Sequence, residues 1–187
     1  YHLVAEISGQ TPKIPWCFYN LIEGGLHAEH SLPFQEYLLV PQVPSAQKSL
    51  EIAENFIHLL GELIGTKYGD LKQGYEGGYI IPSPDPLTGL AVLQEVIQNL
   101  NDPNLRMSLD VAASTFYHDG IYQVGANSLT REKLLGIYQN IATQFHVLSI
   151  EDPYDQEDWP GYAEIMKSLG SRVWIVGDDL TTTNPER

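Results

Sequence analysis

Acidic residues close three successive apolar segments of this chain. Asp110 follows Met107-Ser108-Leu109, Glu151 and Asp152 follow Leu148-Ser149-Ile150, and Asp178 and Asp179 follow Ile175-Val176-Gly177. Each segment reads as a short strand, and one strand–helix–strand repeat separates each acid from the next. In a parallel barrel all C-terminal strand ends lie on one face, the face that holds the active site. Acids far apart in sequence then converge. Crowded carboxylates repel, and their pKa values rise unless a cation lies among them. Oxygen donors without a Cys or His cluster suit Mg²⁺ better than Zn²⁺. A single acid after a strand is often only a cap for the next helix. Three in succession, each tight against its strand, favour a metal site built from Asp110, Glu151 and Asp178. Asp152 and Asp179, one residue further on, are expected as caps or as groups that orient the ligands.

The elements that must position these acids follow from periodicity. Ile14 to Ile22 and Phe34 to Val40 read as two strands, close enough for a hairpin. A helix is expected from Ala46 to Lys67, with Leu50, Ala53, Ile57, Leu60 and Ile64 inward, Ser45 as its N-cap and Gly69 as its stop. A Gly- and Pro-rich loop runs from Asp70 to Gly89, long enough to suggest a functional role. A second helix spans Leu90 to Leu100, with Leu90, Leu93, Ile97 and Leu100 inward. Arg106 to Leu109 is a strand, Arg131 to Phe145 a helix, Val147 to Ile150 a strand, Gln156 to Leu169 a helix and Val173 to Val176 a strand. The last two helices direct Leu134, Tyr138, Ile141 and Phe145, and Trp159, Tyr162, Met166 and Leu169, inward. The order ββααβαβαβ means α/β architecture with a parallel sheet.

Composition excludes several function classes. The chain has 187 residues, with 24 Asp and Glu against 10 Lys and Arg and a formal net charge of −14. Nucleic acid and anionic membrane surfaces are disfavoured, because both call for clustered basic residues. No apolar run approaches the roughly 18 residues of a membrane helix. Cys17 is alone, in an apolar run, and is expected as a small core residue. No glycine fingerprint of a dinucleotide fold or a P-loop is present. Tyr1-His2-Leu3-Val4 shows no signal-peptide pattern, so a cytoplasmic protein is expected, and the missing initiator Met reads as a chain cut from something longer.

These residues, taken in order, resemble the enolase family. The resemblance is carried by Gly24-Gly25-Leu26-His27-Ala28, Gln35-Glu36, Glu76-Gly77-Gly78 and Leu109-Asp110-Val111-Ala112-Ala113-Ser114 with Phe116-Tyr117. It continues through Ser149-Ile150-Glu151-Asp152-Pro153, Asp158-Trp159, Val176-Gly177-Asp178-Asp179-Leu180 and Thr183-Asn184. It implies that residues 1–187 are one partial domain, the first part of an enolase-type (β/α)₈ TIM barrel, with the N-terminal capping domain and the later strands outside the chain. It implies a carbon–oxygen lyase of glycolysis, phosphopyruvate hydratase, that dehydrates 2-phosphoglycerate to phosphoenolpyruvate with Mg²⁺. By motif, Asp110, Glu151 and Asp178 resemble the metal ligands, and Glu76 the acid that protonates the departing hydroxide. Glu36 resembles its partner carboxylate at the substrate, and His27 the substrate-side histidine. The partner is a small molecule, and self-association is compatible with the resemblance.

The chain also departs from the family pattern. Tyr75 stands where Asp usually precedes Glu-Gly-Gly, Glu23 where Asn usually precedes Gly-Gly, and Thr115 where Glu usually follows Ala-Ser. Ile80 and Ile81 make the segment after Glu-Gly-Gly bulkier. These changes bear on the surroundings of Glu76 more than on the metal ligands. The family draws its base and an electrostatic partner from two lysines on later strands. Lys13, Lys48, Lys67, Lys72, Lys133 and Lys167 do not end predicted strands beside the acids, so this chain alone is expected to be inactive. The alternative is a non-catalytic, enolase-derived binding or structural protein. Another superfamily dehydratase or racemase is disfavoured by Glu36 together with Glu76-Gly77-Gly78.

Overall fold

Residues 6–9, 13–29 and 31–187 are described by a computed structural model. Strands β1 (Tyr19–Glu23) and β2 (Glu36–Pro41) form the expected antiparallel pair. The first strand starts later than its apolar run suggests. Residues 13–18 pair with no strand, and Ile14, Trp16 and Phe18 are exposed. Pro15 has no N–H to give a ladder there, and Cys17 is half-buried rather than a core residue.

Helix α1 (Ala46–Tyr68) is capped as its sequence indicates: the Ser45 Oγ accepts from the Lys48 N–H at 3.3 Å, and Gly69 ends the helix at φ 87°. Its buried face is turned slightly from the expected stripe. Ala53, Leu60 and Ile64 are buried as expected, but Phe56 takes the place of Ile57 in the core, and Leu50 is exposed. The large aromatic ring gains more from burial than a smaller aliphatic chain. The segment after α1 contains β3 (Tyr79–Ile80), which pairs parallel with β1, so it is not wholly loop. Helix α2 (Leu87–Leu100) starts earlier than its apolar spacing suggests, because the Asp85 carboxylate accepts from the Leu87 N–H at 2.9 Å. Val92 and Val96 are buried beside Leu90 and Leu93, leaving Ile97 and Leu100 at the margin.

Strand β4 (Leu105–Asp110) pairs antiparallel with β2. A second sheet follows, of β5 (Tyr117–His118), β6 (Ile121–Val124) and β7 (Asn127–Leu129), all antiparallel. It is absent from the sequence reading, although Asp119-Gly120, both at positive φ, is a hairpin signal before the alternating Ile121-Tyr122-Gln123-Val124. Helix α3 (Arg131–Gln144) buries Leu134, Tyr138 and Ile141, with Phe145 just beyond its end. Strand β8 (Ser149–Glu151) pairs parallel with β4, helix α4 (Trp159–Leu169) follows, and β9 (Trp174–Val176) pairs parallel with β8. Helix α4 starts at Trp159 because the Asp158 carboxylate caps it through the Gly161 N–H at 3.1 Å. Tyr162, Ile165 and Leu169 face inward, whereas Trp159 and Met166 are exposed, contrary to their assignment as core.

The main sheet has the order β3-β1-β2-β4-β8-β9, with β3 and β9 at its edges among the described residues. This is a mixed α/β fold whose later half alternates strand and helix in the manner of a partial barrel. Two buried tyrosines join the layers through their hydroxyls: Tyr37 donates to the Pro86 carbonyl at 2.9 Å and Tyr138 to the Pro153 carbonyl at 2.6 Å. No helix among the described residues is long and apolar enough to cross a membrane.

Candidate metal and acid–base site

Strand register sets the site. Glu23 pairs with Glu36, Glu36 with Asp110, Asp110 with Glu151, and Glu151 with Val176. Cross-strand partners project from the same face of a sheet. Four neighbouring strands therefore put an acid at the same level, where β1, β4 and β8 end and β2 begins.

The acids divide into two groups. In the first, carboxylate oxygens of Asp110, Glu151 and Asp152 lie within 4.8 Å of one another. Burial, then the Asp110 charge, pushes Glu151 up to about 7. Burial also pushes Asp110 up to about 6, against the Ala112 N–H and the Gln35 amide, which donate to its two oxygens at 3.0 and 3.1 Å. In the second group, His27, Glu36 and Glu76 bring ligand atoms within 4.8 Å. Burial pushes Glu36 up to about 8, reinforced by the charges of Asp110, Glu76 and Glu151 and by a hydrogen bond with Glu76. Glu36 thus links the two groups electrostatically. The Asn20 amide donates to Glu76 at 3.1 Å, and His27 Nδ1 lies 3.7 Å from Glu36 Oε1. His27 Nδ1 and Asn20 Oδ1 are buried without hydrogen-bond partners, as expected where a polar ligand completes the site.

Asp178 is placed differently. It is exposed, beyond edge strand β9, and is not among the carboxylates gathered around Asp110 and Glu151. Asp152, by contrast, is buried at φ 41°, and its carboxylate binds the turn that carries Asp178. It accepts from the N–H groups of Asp178 (3.2 Å), Asp179 (2.7 Å) and Leu180 (3.3 Å) and from the Tyr162 hydroxyl (2.9 Å). Oxygens so engaged are poor candidates for a cation. Asp110 and Glu151, with fewer donors and raised pKa values, suit a divalent cation.

Sequence reasoning missed Glu23, Gln35 and Asn20 as members of this neighbourhood. The acid-after-strand signal applies equally to Glu23, since β1 ends on it rather than on Ile22. Gln35 and Asn20 carry no comparable signal, because their roles depend on pairing across strands.

A family model described as "Enolase, C-terminal TIM barrel domain" matches residues 11–187. The chain is 39% identical over 194 residues to an enolase of Methanopyrus kandleri, covering 99% of this chain and 45% of that protein. It is 36% identical over 195 residues to an enolase of Pyrococcus furiosus, covering 100% of this chain and 45% of that protein. Against an enolase of Methanocaldococcus jannaschii it is 36% identical over 202 residues, covering 98% and 47%. The chain spans less than half the length of these curated relatives.

Proposed function

The chain belongs to the enolase family, and from that premise we propose that it contributes one flank of an enolase-type (β/α)₈ barrel site for Mg²⁺-dependent dehydration of 2-phosphoglycerate to phosphoenolpyruvate. The observation that carries this reading is the row of acids in register from Glu36 through Asp110 to Glu151, flanked by His27 and Glu76. On this reading the protein is a carbon–oxygen lyase of glycolysis, working in the cytoplasm on a small phosphorylated acid.

Asp110 and Glu151 would hold Mg²⁺, with Asp178, on the turn bound by Asp152, as the third ligand that the family pattern implies. The bound ion supplies positive charge where negative charge grows on the substrate carboxylate during proton removal. Glu36, pushed up to about 8 by burial and by the acids around it while no cation is bound, shares a hydrogen bond with Glu76. That pair holds a proton beside the leaving group, and Glu76 passes it to the departing hydroxide as water forms. His27, with its free Nδ1, and Asn20 orient the substrate and Glu76. The base that takes the carbon-bound proton is not supplied by this chain. Lys48 and Lys67 pair with Glu51 and Glu95, and the main influences on Glu36, Asp110 and Glu151 are burial and other acids rather than any lysine.

A second reading, a non-catalytic derivative, is favoured by Tyr75, which is 82% exposed beside Glu76 where the family pattern has Asp. Phosphoenolpyruvate formation, followed by ultraviolet absorbance, separates the two. The gene product should turn over 2-phosphoglycerate with Mg²⁺ and stop with a chelator. Silence under both conditions would support the non-catalytic derivative.

A further inference from the structure

Strand β1 ends on an acid to which the proposed chemistry gives no role. Glu23 is 0% exposed. A carboxylate is almost never fully buried unless strong donors satisfy it. Here the donors come from one loop. The Glu76 N–H donates to Glu23 Oε2 at 3.1 Å, and the Gly78 N–H donates to Oε1. Bonds from amides to an ionised acceptor are stronger than neutral ones.

The loop is shaped around this carboxylate. A Cβ at residue 74 would lie 2.3 Å from Glu23 Oε2, and one at residue 78 would lie 2.9 Å from Oε1. Gly74 and Gly78 leave the room the carboxylate occupies. Around it the loop closes on itself and on the site. The Gly74 N–H donates to the Gly78 carbonyl at 2.9 Å, and the Tyr75 N–H to the His27 carbonyl at 3.2 Å. Glu76 therefore has its backbone fixed by Glu23 and its side chain directed to Glu36 and Asn20. The Asn that the family pattern has at this position is one carbon shorter and offers a single acceptor atom. The carboxylate expected at residue 75 is replaced by an exposed tyrosine. The acid sits on the strand instead of in the loop.

We propose that Glu23 is a positioning residue, whose buried carboxylate holds the backbone at Glu76 and Gly78 and thereby sets Glu76 against Glu36 and His27. This rests on the reading of Glu76 as the acid of the site, but the tie itself can be measured without turnover.

Glu23→Gln keeps the shape and replaces one acceptor oxygen with a donor, which then faces an N–H. Amide hydrogen exchange by NMR on the 187-residue chain should show Glu76 and Gly78 exchanging about tenfold faster or more, with the β2 amides of Leu38 and Leu39 unchanged. In the full gene product the same variant should lower kcat about tenfold or more with little change in KM, because fully buried Glu23 acts through Glu76. Unchanged exchange at Glu76 and Gly78 overturns the tie, and faster exchange with unchanged kcat overturns its positioning role. If the variant does not fold, the unsubstituted chain decides: slow exchange at both amides supports the tie, and exchange at the rate of an unstructured peptide overturns it. A gene product without phosphoenolpyruvate formation overturns the reading of the site instead, and the exchange rates still decide the tie.

Discussion

The two ends of the acid row are built by the same device and finish differently. At one end Glu23, buried on β1, accepts the amides of the loop that carries Glu76. At the other, Asp152, buried just beyond β8, accepts the amides of the turn that carries Asp178. The first loop leads into β3, which pairs back onto β1, and there His27, Glu36 and Glu76 meet, although Glu76 is itself exposed. The second turn follows β9, an edge strand whose Trp174 is 53% exposed. Its backbone is fixed too, but Asp178 is exposed and outside the tight cluster of Asp110, Glu151 and Asp152, although its charge still helps to raise Glu151.

The largest expected effect lies at the Glu76 end. Glu76→Gln in the gene product should lower phosphoenolpyruvate formation by about 10²–10⁴-fold, the usual contribution of a positioned acid. A loss under about tenfold would remove Glu76 from that role. At the open end, Asp152→Ala should destabilise the chain by about 3 kcal/mol, because the Tyr162 hydroxyl and the three turn amides lose their acceptor. Urea unfolding measures this, and a loss below about 1 kcal/mol would mean that the turn is held by other contacts.

A smaller effect depends on pH. Glu36, Glu151 and Asp110 are raised to about 8, 7 and 6, chiefly by burial. Each folded value exceeds the unfolded one, so between about pH 4 and pH 8 the folded chain binds more protons than the unfolded chain. Stability should therefore fall as pH rises through this window. The melting temperature without metal should be a few degrees lower near pH 8.5 than near pH 5, and Mg²⁺ should narrow the difference. A melting temperature that rises with pH would contradict the crowding of these acids. The smallest effect is expected away from both ends. Lys48→Ala breaks an exposed pair with Glu51 and should change stability by under about 1 kcal/mol, with turnover unchanged.

What was legible in the sequence was mostly local. Periodicity located α1, α2, α3 and β4, and the strand-end rule placed Asp110 and Glu151 side by side, because a parallel repeat puts successive strand ends on one face. The wrong helix faces have a common cause. Trp159 and Met166 fit an apolar spacing but lie outward on α4, where the capping Asp158 and the buried Ile165 set the rotation. The meeting of His27, Glu36 and Glu76 was legible only through family resemblance, since it depends on the register of β1, β2 and β4, which no single segment encodes. Glu23 counted in the sequence only as a departure from that pattern, and its contacts with the loop at residues 74–78 come from pairing far along the chain.

The most direct test of the acid row as a divalent-cation site is a Mg²⁺ titration of the 187-residue chain, read by NMR at the residues around Asp110, Glu151 and Asp178. The unsubstituted chain should show weak, saturable shifts at all three places, and Asp110→Asn and Glu151→Gln should each abolish them. Shifts that survive both substitutions, or that centre on acids elsewhere, would contradict the account.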